Sequence, residues 1–233
     1  EISHIIRHIN FVIESVLSDK EFLEKVFTFL NSAMRIFNSS PKNDNAIFKI
    51  FHRFILTNDE NIIGSASFFV HMCTKNSNLL NYFFSGDKLT TIWSLCYVEN
   101  PIAFTYYTPL FNEVASTFTP KSAESVEPFT EKVLDDFNDG LIQPQNLSTS
   151  VYFVSSIVCN IDSGDFLIQL LPKITDLSPE SDNLLFFEPL LKAKTSNTPE
   201  IWNTLYNILE QAGLNISLLE TALQALKNTG IIP

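Results

Sequence analysis

Residues 2–37 read ISHIIRHINFVIESVLSDKEFLEKVFTFLNSAMRIF, and the spacing of their apolar side chains decides the fold class. Ile2, Ile5, Ile6, Ile9, Val12, Ile13, Val16 and Leu17 recur at i, i+3, i+4 and i+7, which is the pattern of a helix with one buried face. Ser18 and Asp19 then offer an N-cap, supported by Glu21. Phe22, Leu23, Val26, Phe27, Phe29, Leu30, Ala33, Met34 and Phe37 repeat the pattern. Asn38-Ser39-Ser40-Pro41 closes this second run, because the residue before a proline is driven out of the helical region. Two antiparallel helices are the natural expectation.

The same grammar continues through 45–57, 59–74, 76–85, 88–98, 101–118, 122–138, 144–160, 164–177, 180–194, 199–212 and 216–229. Helix starts are marked by Asp59, Asp87, Asn100-Pro101, Ser122, Gln143-Pro144, Ser178-Pro179, Thr198-Pro199 and Ser217, the last with Glu220 completing a capping box. Gly86, Gly140, Gly213 and Gly230 each fall just past a periodic run, where a helix ends most easily in a left-handed residue. Val151-Tyr152-Phe153-Val154 and residues 102–107 are β-branched and aromatic enough to form strands. Their flanks extend the apolar pattern beyond ten residues without alternation, so they are assigned to helices.

An all-α fold of thirteen short helices leaves two architectures, a closed helical bundle or a stack of antiparallel hairpins. Pairs beginning near 2, 45, 76, 101, 144, 180 and 216 advance by about 25 to 45 residues. Pro109, Pro128, Pro172 and Pro189 fall inside predicted helices, in pairs 19 and 17 residues apart, and an internal proline bends a helix. Tyr107-Thr108-Pro109-Leu110-Phe111 also looks like Phe187-Glu188-Pro189-Leu190-Leu191. In these respects the whole chain resembles the armadillo/HEAT-like superfamily. The resemblance implies a right-handed α-solenoid over residues 1–233, at the level of fold and not of any one family.

Composition excludes several classes. A 233-residue chain with 45% hydrophobic and 18% charged residues can bury about 70% of its unfolded surface without a staple. Only 6 Gly accompany 21 Phe, too few for nucleotide-cradling loops or a turn-rich sandwich. The net charge of −11 opposes a nucleic-acid surface, which needs a dense basic face. That charge is lopsided: residues 1–116 carry 9 Lys/Arg against 11 Asp/Glu, and residues 117–233 carry 6 against 15. No apolar run approaches the ~20 residues of a membrane span.

Cys73, Cys96 and Cys159 are odd in number and set among apolar neighbours, the usage of reduced core thiols in a cytoplasmic or nuclear protein. The sequons at Asn38, Asn146 and Asn215 are then inert. The chain opens at Glu1 with neither Met nor a basic-then-apolar leader, which leads us to expect a fragment of a longer protein.

Few residues point to chemistry. Asp135-Asp136-Phe137-Asn138-Asp139 matches the DDxxD pattern by which helical isoprenoid synthases hold magnesium. A second Asp/Asn-rich metal motif and a basic diphosphate cluster are both missing, and Gly140 marks a solvated helix end. Read as a calcium loop, the same stretch puts Phe137 at position 3 and Asn146 at position 12, which excludes an EF-hand. Glu124, Glu127, Glu131, Asp135, Asp136 and Asp139 instead compose an acidic contact surface near one helix face, against the plainer alternative of a solvated face.

His4 and His8 stand at i, i+4 without the Glu of a HExxH site or a third ligand, and His52 and His71 are isolated. Arg35, Lys42, Lys49 and Arg53 interleave with Phe48, Phe51 and Phe54, a pattern that fits an acidic peptide but is more simply a helix with an aromatic core side. No P-loop, GxGxxG or GxSxG motif is present. The expectation is a non-enzymatic scaffold without cofactor or metal, binding a protein partner, a basic segment above all, along its repeat surface. Two alternatives are a regulatory subunit that holds an enzyme through hydrophobic helix edges, and a magnesium-dependent helical enzyme acting on a phosphate ester.

Overall fold

Local signals place the helices, and their caps can be followed atom by atom. The structure, a computed structural model, describes residues 2–122, 124–158, 161, 164–177, 203 and 207. Their regular elements are all helices, with no strand among the described residues. Apart from Asn203 and Asn207, the helices expected over 180–194, 199–212 and 216–229, with Cys159 and Pro189, lie outside the described residues. The chain divides into two compact units, Glu1–Val114 and Ala115–Pro233.

In the first unit, α1 (Ile2–Val16) and α2 (Lys20–Met34) form a hairpin, followed by α3 (Pro41–Leu56) and α4 (Glu60–Thr74). A short pair, α5 (Ser77–Phe83) and α6 (Asp87–Trp93), leads through a π-helical segment at Ser94–Glu99 into α7 (Pro101–Ala115). Asp19 caps α2 by accepting from the Phe22 N–H, and Asp59 caps α4 by accepting from Asn61 and Ile62. Asn100 caps α7 in the same way, its Oδ1 accepting from Ile102 and Ala103 at 3.0 Å each. Each cap satisfies amide hydrogens that a helix N-terminus leaves unpaired.

Packing follows an alternating order. α1 lies against α3 and α2 against α4, in addition to the contacts between chain neighbours. Asn43 Nδ2 donates to Ser3 Oγ at 2.8 Å and Arg53 donates to the Asn10 carbonyl at 2.7 Å, so α1 and α3 run parallel. α4 and α7 are also parallel: Tyr106 reaches Glu60, Tyr107 reaches the Ile63 carbonyl, and Lys75 pairs with Glu113 at 3.2 Å. Gly64 permits this approach, since a Cβ there would stand 3.2 Å from the Tyr106 ring. The core is aromatic, with the Phe51 ring meeting Phe48, Phe83, Tyr107 and Phe111 at centroid distances of 5.5–5.9 Å.

The second unit contains α8 (Glu127–Asn138), a 3₁₀ turn at Pro144–Asn146, α9 (Leu147–Val158) and α10 (Gly164–Leu177). Alternation recurs here, with α8 packed on α10. Phe129 of α8 meets Phe153 of α9 edge to face at 6.0 Å. The segment 151–154 is helical, its β-branched side chains buried within α9.

Several boundaries differ from those expected. α3 starts at Pro41 and not at 45, because Asn43 and Asp44 are polar yet buried, held by Ser3, Asn38, Ser39 and Ser40. α8 starts at Glu127 and not at Ser122, so Pro128 sits in the first turn, where its missing N–H costs nothing. Pro109 and Pro172 do lie inside helices. Among the described residues no helix is long and apolar enough to cross a membrane.

Candidate functional site

Helix α8 separates its residues by chemistry. Phe129, Val133 and Phe137 are buried at i, i+4 and i+8, and this stripe seats the helix. Glu127, Glu131 and Asp135 occupy the opposite side at the same spacing, all exposed, and Glu124 and Asp139 are exposed just beyond the helix ends. None of these five carboxylates meets a cation among the described residues. The helix closes at Gly140, whose φ of +67° suits glycine.

Asp136 corrects the sequence expectation. One residue beyond Asp135 turns about 100° round the helix, onto the side of Phe129 and Val133, and Asp136 is fully buried. Its carboxylate accepts from the Lys132 ammonium at 2.6 Å. Lys132 reaches it from the preceding turn with 38% of its own side chain exposed. The acidic surface therefore has five members and not six. The same rotation parts Asp136 from Asp135, while Asp135 and Asp139 both stay exposed at i, i+4. Among the described residues no three metal-ligating side chains converge.

The helix dipole favours Glu127 in the first turn, but the rest of the ridge works against the helix. Glu127–Glu131 and Glu131–Asp135 are like-charged i, i+4 pairs, each unfavourable in isolated helices by about 0.2–0.5 kcal/mol. Asp135 also stands in the last turn, where the helix dipole favours cations and α8 has none. Burial of the Phe129 stripe holds the helix regardless.

The remaining candidates do not assemble. His4 and His8 are exposed on α1 without a third ligand among the described residues, and His71 is half-buried beside the Phe68 ring. Burial, and next the Arg53 guanidinium, push His52 below its ordinary value. Phe48, Phe51 and Phe54 turn inward while Arg35, Lys42 and Lys49 face solvent, so the aromatic-basic interleaving parts into core and surface. Cys73 and Cys96 are buried free thiols, pushed upward by burial.

Sequence reasoning passed over the exposed apolar side chains. Phe11 is 83% exposed, Ile36 65% and Leu56 58%. The signal existed for Phe11, which falls outside the Ile6, Ile9 and Ile13 stripe of α1. No family model, no curated protein and no solved structure matches the chain.

Proposed function

We propose that this chain is a protein-interaction module of the armadillo/HEAT-like kind, whose stacked hairpins hold out an acidic ridge for a Lys/Arg-rich segment of a partner. The observation that carries the stacking is the separation of its tethers. Ser3–Asn43, Asn10–Arg53, Ile63–Tyr107 and Glu60–Tyr106 are 40, 43, 44 and 46 residues apart, and Lys75–Glu113 is 38 apart. Parallel helices related at one roughly constant separation are what a repeat of about 40 residues produces, here with α2 alone between α1 and α3 and with α5, α6 and the π-helical segment between α4 and α7.

The ridge of Glu127, Glu131 and Asp135 supports the choice of a basic partner. It is exposed, unpaired with any cation among the described residues, and contains two like-charged i, i+4 pairs. Electrostatics would then set association rate and specificity. Free buried Cys73 and Cys96 accord with a reducing, intracellular setting.

The test is a fluorescence-anisotropy titration with a labelled deca-arginine peptide at 20 and 200 mM salt. The expected result is saturable binding that weakens at least tenfold at the higher salt. Absence of binding at 20 mM salt would sink the proposal. A second reading, a scaffold subunit gripping an enzyme by apolar helix edges, is favoured by Phe11, Ile36 and Leu56. It calls for partner association that is indifferent to salt and lost on Phe11→Ser.

A further inference from the structure

We draw no further inference here: the strongest candidate, the partly exposed apolar edge of α1 formed by Ile2, Ile5 and Val12, corresponds in position to the edge by which α3 holds α1 through Asn43 and Arg53, but nothing in the structure shows what covers it.

Discussion

Tyr107 Oη donates a 2.9 Å hydrogen bond to the carbonyl of Ile63, a residue 44 positions earlier, and both residues are fully buried. This bond joins α7 to α4, while the Tyr107 ring packs on Phe51 of α3. Tyr107→Phe removes the hydroxyl and keeps the ring, at a cost of about 0.5–1.5 kcal/mol. Tyr107→Ala also opens a cavity and costs about 3–5 kcal/mol. Urea unfolding of both variants checks the order. Equal losses would show that the ring contributes nothing.

Gly64 gives a test of the same seam. Alanine there gains about 0.8–1 kcal/mol of helix propensity, but its Cβ meets the half-buried Tyr106 ring at 3.2 Å. The ring is half-buried and its hydroxyl bond to Glu60 is long, 3.3 Å, and exposed, so a retreat of a few tenths of an ångström is open to it and Gly64→Ala is expected to stabilise by less than the full propensity gain. Gly64→Ile displaces Tyr106 from Glu60 and destabilises. Thermal melts of the two variants should move in opposite directions.

The caps predict an order of losses. Asn100 accepts from two amides of α7 and donates Nδ2 to the Ile55 carbonyl at 3.0 Å, closing the end of α3 as well. Asp19 accepts a single bond at an exposed site. Asp19→Ala should cost about 0.5–2 kcal/mol, and Asn100→Ala more, because it also strips a carbonyl partner. Denaturant midpoints that rank the two the other way would contradict this assignment.

These caps also show what the sequence made legible. Asp19, Asp59 and Asn100 are each recognisable as caps, and with them the starts of α2, α4 and α7. Their even separation is hidden by the connections between them, one containing a single helix and the other the short α5–α6 pair. Asn43 and Asp44 concealed the start of α3: Asn43 is buried against Ser3, forty residues distant, and Asp44 accepts from Ser39 and Ser40 just ahead of the helix. The π-helical turn has no local signature; it brings Tyr97 onto Trp93 at 5.4 Å and its hydroxyl onto Asn112 at 2.7 Å. On α8 the apolar stripe and the acids were visible, while Asp136 required the angular register to be applied residue by residue.

Alkaline pH should unfold the first unit early. Burial raises Cys73, Cys96, Tyr97 and Tyr107, so the fold favours their neutral forms. For acids raised on folding, the stabilisation is complete below the unfolded values, about 8.5 for Cys and 10 for Tyr, and is lost as pH rises past them. Stability should therefore hold at pH 7–8 and fall above 8.5. The double variant Cys73→Ala, Cys96→Ala should delay the onset of that fall toward 10. On the acid side His52 is lowered, so its contribution is whole above 6.5 and declines as pH falls below that value. His52→Gln should flatten that part of the profile, read as urea midpoint against pH.

Within α8, burial separates two kinds of acid. Lys132→Met leaves the Asp136 carboxylate buried without its ammonium and is expected to cost about 1–3 kcal/mol. Glu131→Gln and Asp135→Asn relieve like-charge repulsion at an exposed face and should change stability by less than about 0.5 kcal/mol. Chemical denaturation that finds Asp135→Asn the more damaging change would overturn the assignment of the two faces.

The proposed function requires that the ridge, and not bulk negative charge, recruit a basic segment. Its most direct test compares deca-arginine binding at 20 mM salt in two variants of equal charge. One is Glu127→Gln, Glu131→Gln, Asp135→Asn; the other is Glu24→Gln, Asp87→Asn, Glu99→Gln, exposed positions of the first unit. At least a tenfold loss of affinity is expected in the ridge variant and less than a twofold change in the other. Equal losses in both would contradict the proposal.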